Sequence, residues 1–246
     1  ATLLHDDVVD ESNMRRGRHS ANAVFGNEAA VLVGDFLFSR AFQLMVKGGS
    51  LDVLRILSRA SAVIAEGEVM QLAAAHDVQT SFDTYLRVIT AKTAALFAAA
   101  CEVGAVLAGK PQETCQSLHD YGLNMGVAFQ IADDVLDYMA SEADLGKSLG
   151  DDLRDGKITL PIIYALEKAS DEDRAFWYDI FVNKNVTDDS FIKARDICLK
   201  HDAFNQALDK AKEYRDLAQQ NLQPLPDSPY KDIFAEITDY VITRSQ

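Results

Sequence analysis

Long runs with helical hydrophobic period, broken at only a few points, set the strongest limit on what this chain can fold into. Asn27 to Val46 is one apolar run, stopped by Gly48-Gly49. Ser50 is placed to cap a second helix that continues to about Ala75. A third run covers Phe82 to Ala108 and ends at Gly109, with Pro111 close behind. A fourth spans Gln112 to Met139. Before them, the start of the chain up to about Asn13 reads as the end of a helix, and Arg15 to Asn22 as a polar break. After them come a Gly- and Asp-rich connection over Asp144 to Lys157 and a helix over Thr159 to Lys168, where Pro161 is tolerable only in the first turn. Three or four amphipathic helices follow, the last turn between them marked by Pro224, Pro226 and Pro229. No strand-period alternation persists, so the expected class is all-α, a single domain over residues 1–246 built as a bundle of long helices. The helical pattern is already under way at Ala1, which gives the expectation that further N-terminal helices precede it in the full protein.

Two of these runs, Asn27 to Val46 and Ile89 to Ala108, are apolar on most faces. Such helices belong in a bundle centre or a subunit interface, so a homodimer is expected. The formal charge of −14 argues against a general binder of nucleic acid or of anionic membrane. No apolar run is read as reaching the roughly 18–20 residues that span a bilayer, and no stable membrane anchor is expected. Cys101, Cys115 and Cys198 are far apart and odd in number, which suits core positions in a reducing cytoplasm.

Against this apolar background, one pattern is out of place. Asp6, Asp7 and Asp10 fall in the run LLHDDVVDES, and Asp133, Asp134 and Asp137 fall in FQIADDVLDY, 127 positions later. Both read as DDxxD. On a helix, positions i and i+4 share a face and i+1 lies about 100° around. Unpaired like charges inside a helix destabilise it, and apolar neighbours make the cost larger. An oxygen-only donor set suits a hard cation such as Mg²⁺, which takes one or two carboxylates and completes its shell with water and phosphate oxygens. Two such clusters facing each other would hold metals that jointly grip a diphosphate. Cations point to the same anion: Arg15 and Arg16 follow the first cluster, and Lys92-Thr93 sits within VITAKTAALF. Gln130 lies three positions before Asp133, and Lys147 and Lys157 flank GKSLGDDLRDGK. Solvated-surface roles stay open for Lys147 and Lys157.

Taken together, these residues resemble the trans-isoprenyl diphosphate synthases. HDDVVDESNMRRG resembles their first aspartate-rich motif with its Arg pair and FQIADDVLD the second. GDFLFSRAF, GEVMQLA, AKTAALF and GKSLGDDLRDGKITLP match further blocks of the family. The likeness runs from Ala1 to about Leu166. It implies an isoprenoid synthase-type bundle around a central cavity, a homodimer, and Mg²⁺, three per active site, held by Asp6, Asp7, Asp10, Asp133, Asp134 and Asp137. It also implies contacts of Arg15, Lys92, Gln130 and Lys157 with an allylic diphosphate, contact of Arg16 with isopentenyl diphosphate, and contributions from Thr93 and Lys147. Lys92 and the aspartates are then the catalytic set. The family's Gly-Lys-x-x-Arg motif and further upstream His do not occur in this chain.

Ala1 and Thr2, one turn before Asp6, are small, so the expected cavity is open on that side, with Phe36, Phe38, Phe42, Met45 or Met70 as a more distant wall. ATLLHDDVVDES and AEGEVMQLA are most similar to the octaprenyl and decaprenyl synthases that make quinone side chains such as that of ubiquinone. Alternatives are a shorter-chain geranylgeranyl or farnesyl synthase, a non-catalytic subunit, a terpene cyclase, and a helical His-Asp metal phosphohydrolase. The last is suggested by His5-Asp6, His76-Asp77, His119-Asp120 and His201-Asp202.

Overall fold

The computed structural model describes residues 1–15, 17–139 and 150–243, the side chain of Asp188 excepted. Arg16 and Lys147 lie outside the described residues. The elements are α1 (Thr2–Val9), β1 (Met14–Arg15), β2 (Arg18–His19), α2 (Ala21–Phe25), α3 (Asn27–Lys47), α4 (Leu51–Ala74), α5 (Phe82–Ile89), a π-helical turn (Thr90–Ala94), α6 (Ala95–Leu107) and α7 (Gln112–Met139). Six more helices follow among the described residues: α8 (Asp151–Arg154), α9 (Leu160–Glu167), α10 (Asp171–Phe181), α11 (Asp188–Lys200), α12 (Ala203–Leu222) and α13 (Pro229–Thr243). The all-α expectation holds.

Local chemistry explains most boundaries. The Ser50 side chain accepts from the Val53 backbone N–H, and Ser81 does the same for Thr84 at the start of α5. Pro161 falls in the first turn of α9, where no hydrogen bond is lost. Ser170 and Thr187 close capping boxes on α10 and α11.

Three elements depart from the sequence reading. The first helix ends at Val9 rather than near Asn13, and the polar break folds as a two-residue hairpin with Gly17 at φ +72°. The run expected as one helix over Phe82 to Ala108 is interrupted by the π turn at Lys92-Thr93. The Gly- and Asp-rich connection contains the short helix α8.

α7 is the central rod. It packs along α6, the π turn and α12, and it buries Tyr121, Ile131, Val135 and Tyr138. Small residues permit this closeness: a Cβ on Gly126 would lie 2.6 Å from the Ala94 Cα, and one on Gly67 of α4 would lie 2.6 Å from the Lys92 backbone nitrogen. The π turn is therefore held between α4 and α7.

The two all-round apolar runs have different fates. The rod of α5, π turn and α6 lies between α4 and α7. α3 buries only Ala30 and Gly34, and Leu32, Val33, Phe36, Leu37 and Phe38 are exposed. The absence of a bilayer-length run needs correction: allowing a few charges, Asn27–Lys47 and Phe82–Leu107 are long and apolar enough to cross a membrane by length and composition. The second of these is a helix of the bundle.

Candidate active site

A cavity of about 990 Å³ opens between α1, α4, the π-turn rod, α7 and α8. Asp6 and Asp10 reach it from the end of α1, Asp133 and Asp134 from α7, and Asp151, Asp152 and Asp155 from α8 and its end. Arg15, Lys92, Thr93, Gln130 and Lys157 line it too. The remaining wall is largely apolar, with Leu3, Ile64, Val88, Leu96, Phe97 and Phe129.

The two DDxxD motifs are brought to one cavity, but not all six carboxylates face it. Asp6 and Asp10 share the cavity side of α1, where both are half-buried. Asp7, 100° around, is buried and paired with Arg15, whose Nη2 and Nε lie 2.6 and 2.8 Å from Asp7 Oδ1. The Asn22 side chain donates to the Asp7 carbonyl at 3.0 Å. Asp7 thus holds the hairpin that carries Arg15, in place of the metal-ligand position expected for it. Asp137 is likewise turned away from the cavity. α8 lies over it, and the Asp152 backbone N–H donates to Asp137 Oδ2 at 3.3 Å.

Asp134 reaches the cavity with both oxygens already accepting hydrogen bonds. Tyr85 Oη donates to Oδ2 at 2.6 Å and Gln130 Nε2 donates to Oδ1 at 2.8 Å. Thr93 Oγ1 donates to Gln130 Oε1 at 2.7 Å. Burial, and next the charge of Asp152, hold the Asp134 carboxyl well above the usual range, and the bonds from Tyr85 and Gln130 oppose that.

Electrostatics of the cavity are unbalanced toward negative charge. The Asp6 carboxyl is pushed up to about 6, first by burial and then by Glu68, and Lys92 opposes this. Asp6 and Asp10 also sit at the C-terminal end of α1, where the helix dipole disfavours anions. Glu68 Oε2 lies 2.8 Å from Lys92 Nζ. Lys157 Nζ lies 2.7, 3.5 and 3.6 Å from Asp155, Asp152 and Asp10. Burial would pull the Lys157 ammonium down, but those three carboxylates outweigh it and hold it above the usual lysine range.

This donor set fits a hard divalent cation. Among the described residues no group of three or more His, Cys, Asp and Glu side chains is close enough to hold a metal alone. A cation here would take one or two carboxylates from a cluster and find its other oxygens on water and a bound anion, as magnesium does. The four His-Asp dipeptides do not assemble. His5 packs over Gly34 beside Asp35, His76 against Gly156, His119 pairs with Asp120, and His201 with Asp173. The hydrolase reading has no site to stand on among the described residues.

Several lining residues were not named from the sequence. Glu68 lies inside GEVMQLA, and Asp151, Asp152 and Asp155 inside GKSLGDDLRDGK, a segment read only for its lysines. Tyr85 carried no signal beyond its place on an amphipathic helix. Of the two small residues before Asp6, Thr2 lines the cavity, and Ala1 does not. Phe36, Phe38, Phe42, Met45 and Met70 do not line it either, so the expected distant wall is replaced by side chains of α4 to α7.

The model of the polyprenyl synthetase family matches residues 1–197. The octaprenyl diphosphate synthase of Escherichia coli K12 is 44% identical over 248 residues, an alignment that covers all of this chain and 76% of that protein. A crystal structure of a decaprenyl diphosphate synthase from Rhodobacter capsulatus superposes with a TM-score of 0.94 at 47% identity, covering 100% of this chain and 75% of that one. A polyprenyl synthase from Caulobacter crescentus, crystallised with calcium and isoprenyl diphosphate, gives a TM-score of 0.97 at 46% identity over the same shares.

Proposed function

This chain belongs to the polyprenyl synthetase family, and on that premise we propose that it is a long-chain trans-polyprenyl diphosphate synthase, adding isopentenyl diphosphate head-to-tail to an allylic diphosphate. One observation carries the reading. A single cavity has two sets of carboxylates with lysines and an arginine on its polar walls, and an apolar lining beyond them. That is a site for a diphosphate joined to a hydrocarbon chain.

In the proposed reaction the allylic C–O bond breaks and its electron pair leaves with pyrophosphate. The double bond of isopentenyl diphosphate attacks the allylic carbon, and the proton then lost goes to the pyrophosphate. Asp6, Asp10 and Asp133 would hold Mg²⁺, with Asp134 beside them. When bound, the metal supplies Lewis-acid stabilisation of charge on the leaving diphosphate. Lys92, Arg15 and Lys157 offer cationic donors to the same oxygens and are already oriented by Glu68, Asp7 and the α8 carboxylates, so little reorganisation is needed as charge develops. The apolar wall from Ile64 to Phe129 keeps water from the allylic cation. Arg16 and Lys147 are proposed as further diphosphate contacts.

The product proposed is eight to ten isoprene units, on the octaprenyl and decaprenyl relatives and the small residue Thr2 in the wall. The exposed apolar face of α3 supports a homodimer. The three cysteines, none in a disulfide, support a cytoplasmic location.

The test is incorporation of labelled isopentenyl diphosphate with farnesyl diphosphate, with and without Mg²⁺, and sizing of the extracted product. A Mg²⁺-dependent ladder ending at eight to ten units supports the proposal. A ladder ending at three or four units replaces it with the shorter-chain synthase, and no incorporation overturns it.

A further inference from the structure

We propose that Tyr85 is a positioning residue of this reaction, acting through Asp134 on Gln130 and Thr93. This rests on the synthase function proposed above.

The geometry starts from the rod that carries Lys92. Tyr85 is on α5 and Thr93 is in the π turn, eight residues on. In an unbroken α-helix eight residues turn through about 800°, which leaves the two side chains about 80° apart. A π turn holds one extra residue, which takes out about 100° and puts both on nearly one face. On the facing helix α7, Gln130 and Asp134 are an i, i+4 pair and share a face as well. The two pairs meet. Tyr85 Oη donates to Asp134 at 2.6 Å, Gln130 Nε2 donates to the other oxygen of Asp134 at 2.8 Å, and Thr93 Oγ1 donates to Gln130 Oε1 at 2.7 Å.

In this chain of bonds each group settles the orientation of the next. Tyr85 occupies one oxygen of Asp134 and leaves the other to Gln130. The amide of Gln130 is then fixed with its nitrogen toward Asp134 and its oxygen toward Thr93. Thr93 is the neighbour of Lys92, and Gln130 lies one turn from Asp133, so the network ties the cationic wall of the cavity to the second carboxylate set. Tyr85 itself is buried at the cavity wall, and the phenol hydroxyl is its one polar side-chain atom. Without that hydroxyl, one oxygen of a buried carboxylate is left without a donor, and Asp134 is free to turn and to carry the Gln130 amide with it.

The experiment measures kcat, both KM values and Tm for the wild-type chain, Tyr85→Phe, Thr93→Val and the double variant. We expect Tyr85→Phe to lower kcat about 10- to 100-fold, the scale of a small misplacement, with either KM changed less than about 3-fold. In the Thr93→Val background the same change should cost less than about 3-fold, because the two act along one chain. Asp134→Asn, which keeps Tyr85 and the shape of the side chain, should reproduce the kcat loss even if Tyr85→Phe lowers Tm. Wild-type kcat in Tyr85→Phe, or losses that multiply in the double variant, would overturn this proposal and leave the synthase reading intact. A wild-type chain that consumes no allylic diphosphate would overturn the synthase reading itself.

Discussion

Gly67 of α4 faces the backbone nitrogen of Lys92 so closely that a Cβ at position 67 would lie 2.6 Å from it. The approach is backbone against side-chain position, so nothing flexible can yield. Gly67→Ala should therefore push α4 off the π turn, costing about 1–3 kcal/mol by overpacking and moving Lys92 from Glu68. Gly104→Ala on α6 is the control: nothing lies within 4 Å of its Cβ, and alanine suits a helix better than glycine. Thermal melts with kcat for both variants check this. Loss of Tm and activity is expected in the first, and neither in the second.

Asp6 makes the activity pH-dependent. Its carboxyl, at about 6 in the folded chain, binds a proton that the unfolded chain releases near 3.8. The folded state holds more protons between these values, so this group's contribution to stability falls as pH rises from about 4 to about 6. A cation binds the ionised form, so the Mg²⁺ concentration for half-maximal rate should climb as pH drops below about 6. Glu68→Gln removes the second largest cause of the shift and should move that limb to lower pH. Asp6→Asn should raise Tm at pH 7 without Mg²⁺ by about 2–4 °C while lowering kcat about 100- to 1,000-fold. An acid limb that Glu68→Gln leaves in place would contradict this account.

Asp7 and Asp10 should behave differently despite belonging to one motif. Asp10→Asn acts on the cavity and should raise the Mg²⁺ requirement with little change in Tm. Asp7→Ala breaks a buried pair and releases Arg15, so it should lower Tm, by up to about 3 kcal/mol of stability because Arg15 is partly exposed. Metal titrations with calorimetry separate the two. A larger Tm loss in Asp10→Asn would reverse the assignment.

Product length should respond to Thr2 rather than to Ala1. Thr2 is one turn from Asp6 and lines the cavity, and Ala1 is not among the residues that line it. Thr2→Phe should shorten the longest product by one or more isoprene units, and Ala1→Phe should leave it unchanged. Chromatography of the extracted products decides. Unchanged length with Thr2→Phe would remove α1 from the wall that controls it.

The helices themselves were legible in the sequence: the rods Asn27–Lys47, Leu51–Ala74 and Gln112–Met139 run almost as their periodicity and caps predict. So were the two acidic clusters and the lysines near them. This is because a helix is set by hydrogen bonds four residues apart and by caps within one turn, all of which are local. Which carboxylate turns to the cavity was not local. Asp7 is taken by Arg15, and Asp137 is covered by α8, although spacing alone makes Asp137 the equal of Asp10. Glu68 meets Lys92 across 24 positions and Tyr85 meets Asp134 across 49. The π turn that aligns Tyr85 with Thr93 is likewise held by close approach of α4 and α7 rather than by any residue pattern within it. The sequence by itself determined that this chain is a bundle of long helices carrying two carboxylate clusters. Only packing between distant helices decided which of those groups share the cavity, because side-chain pairing over such separations exists only once the rods are docked.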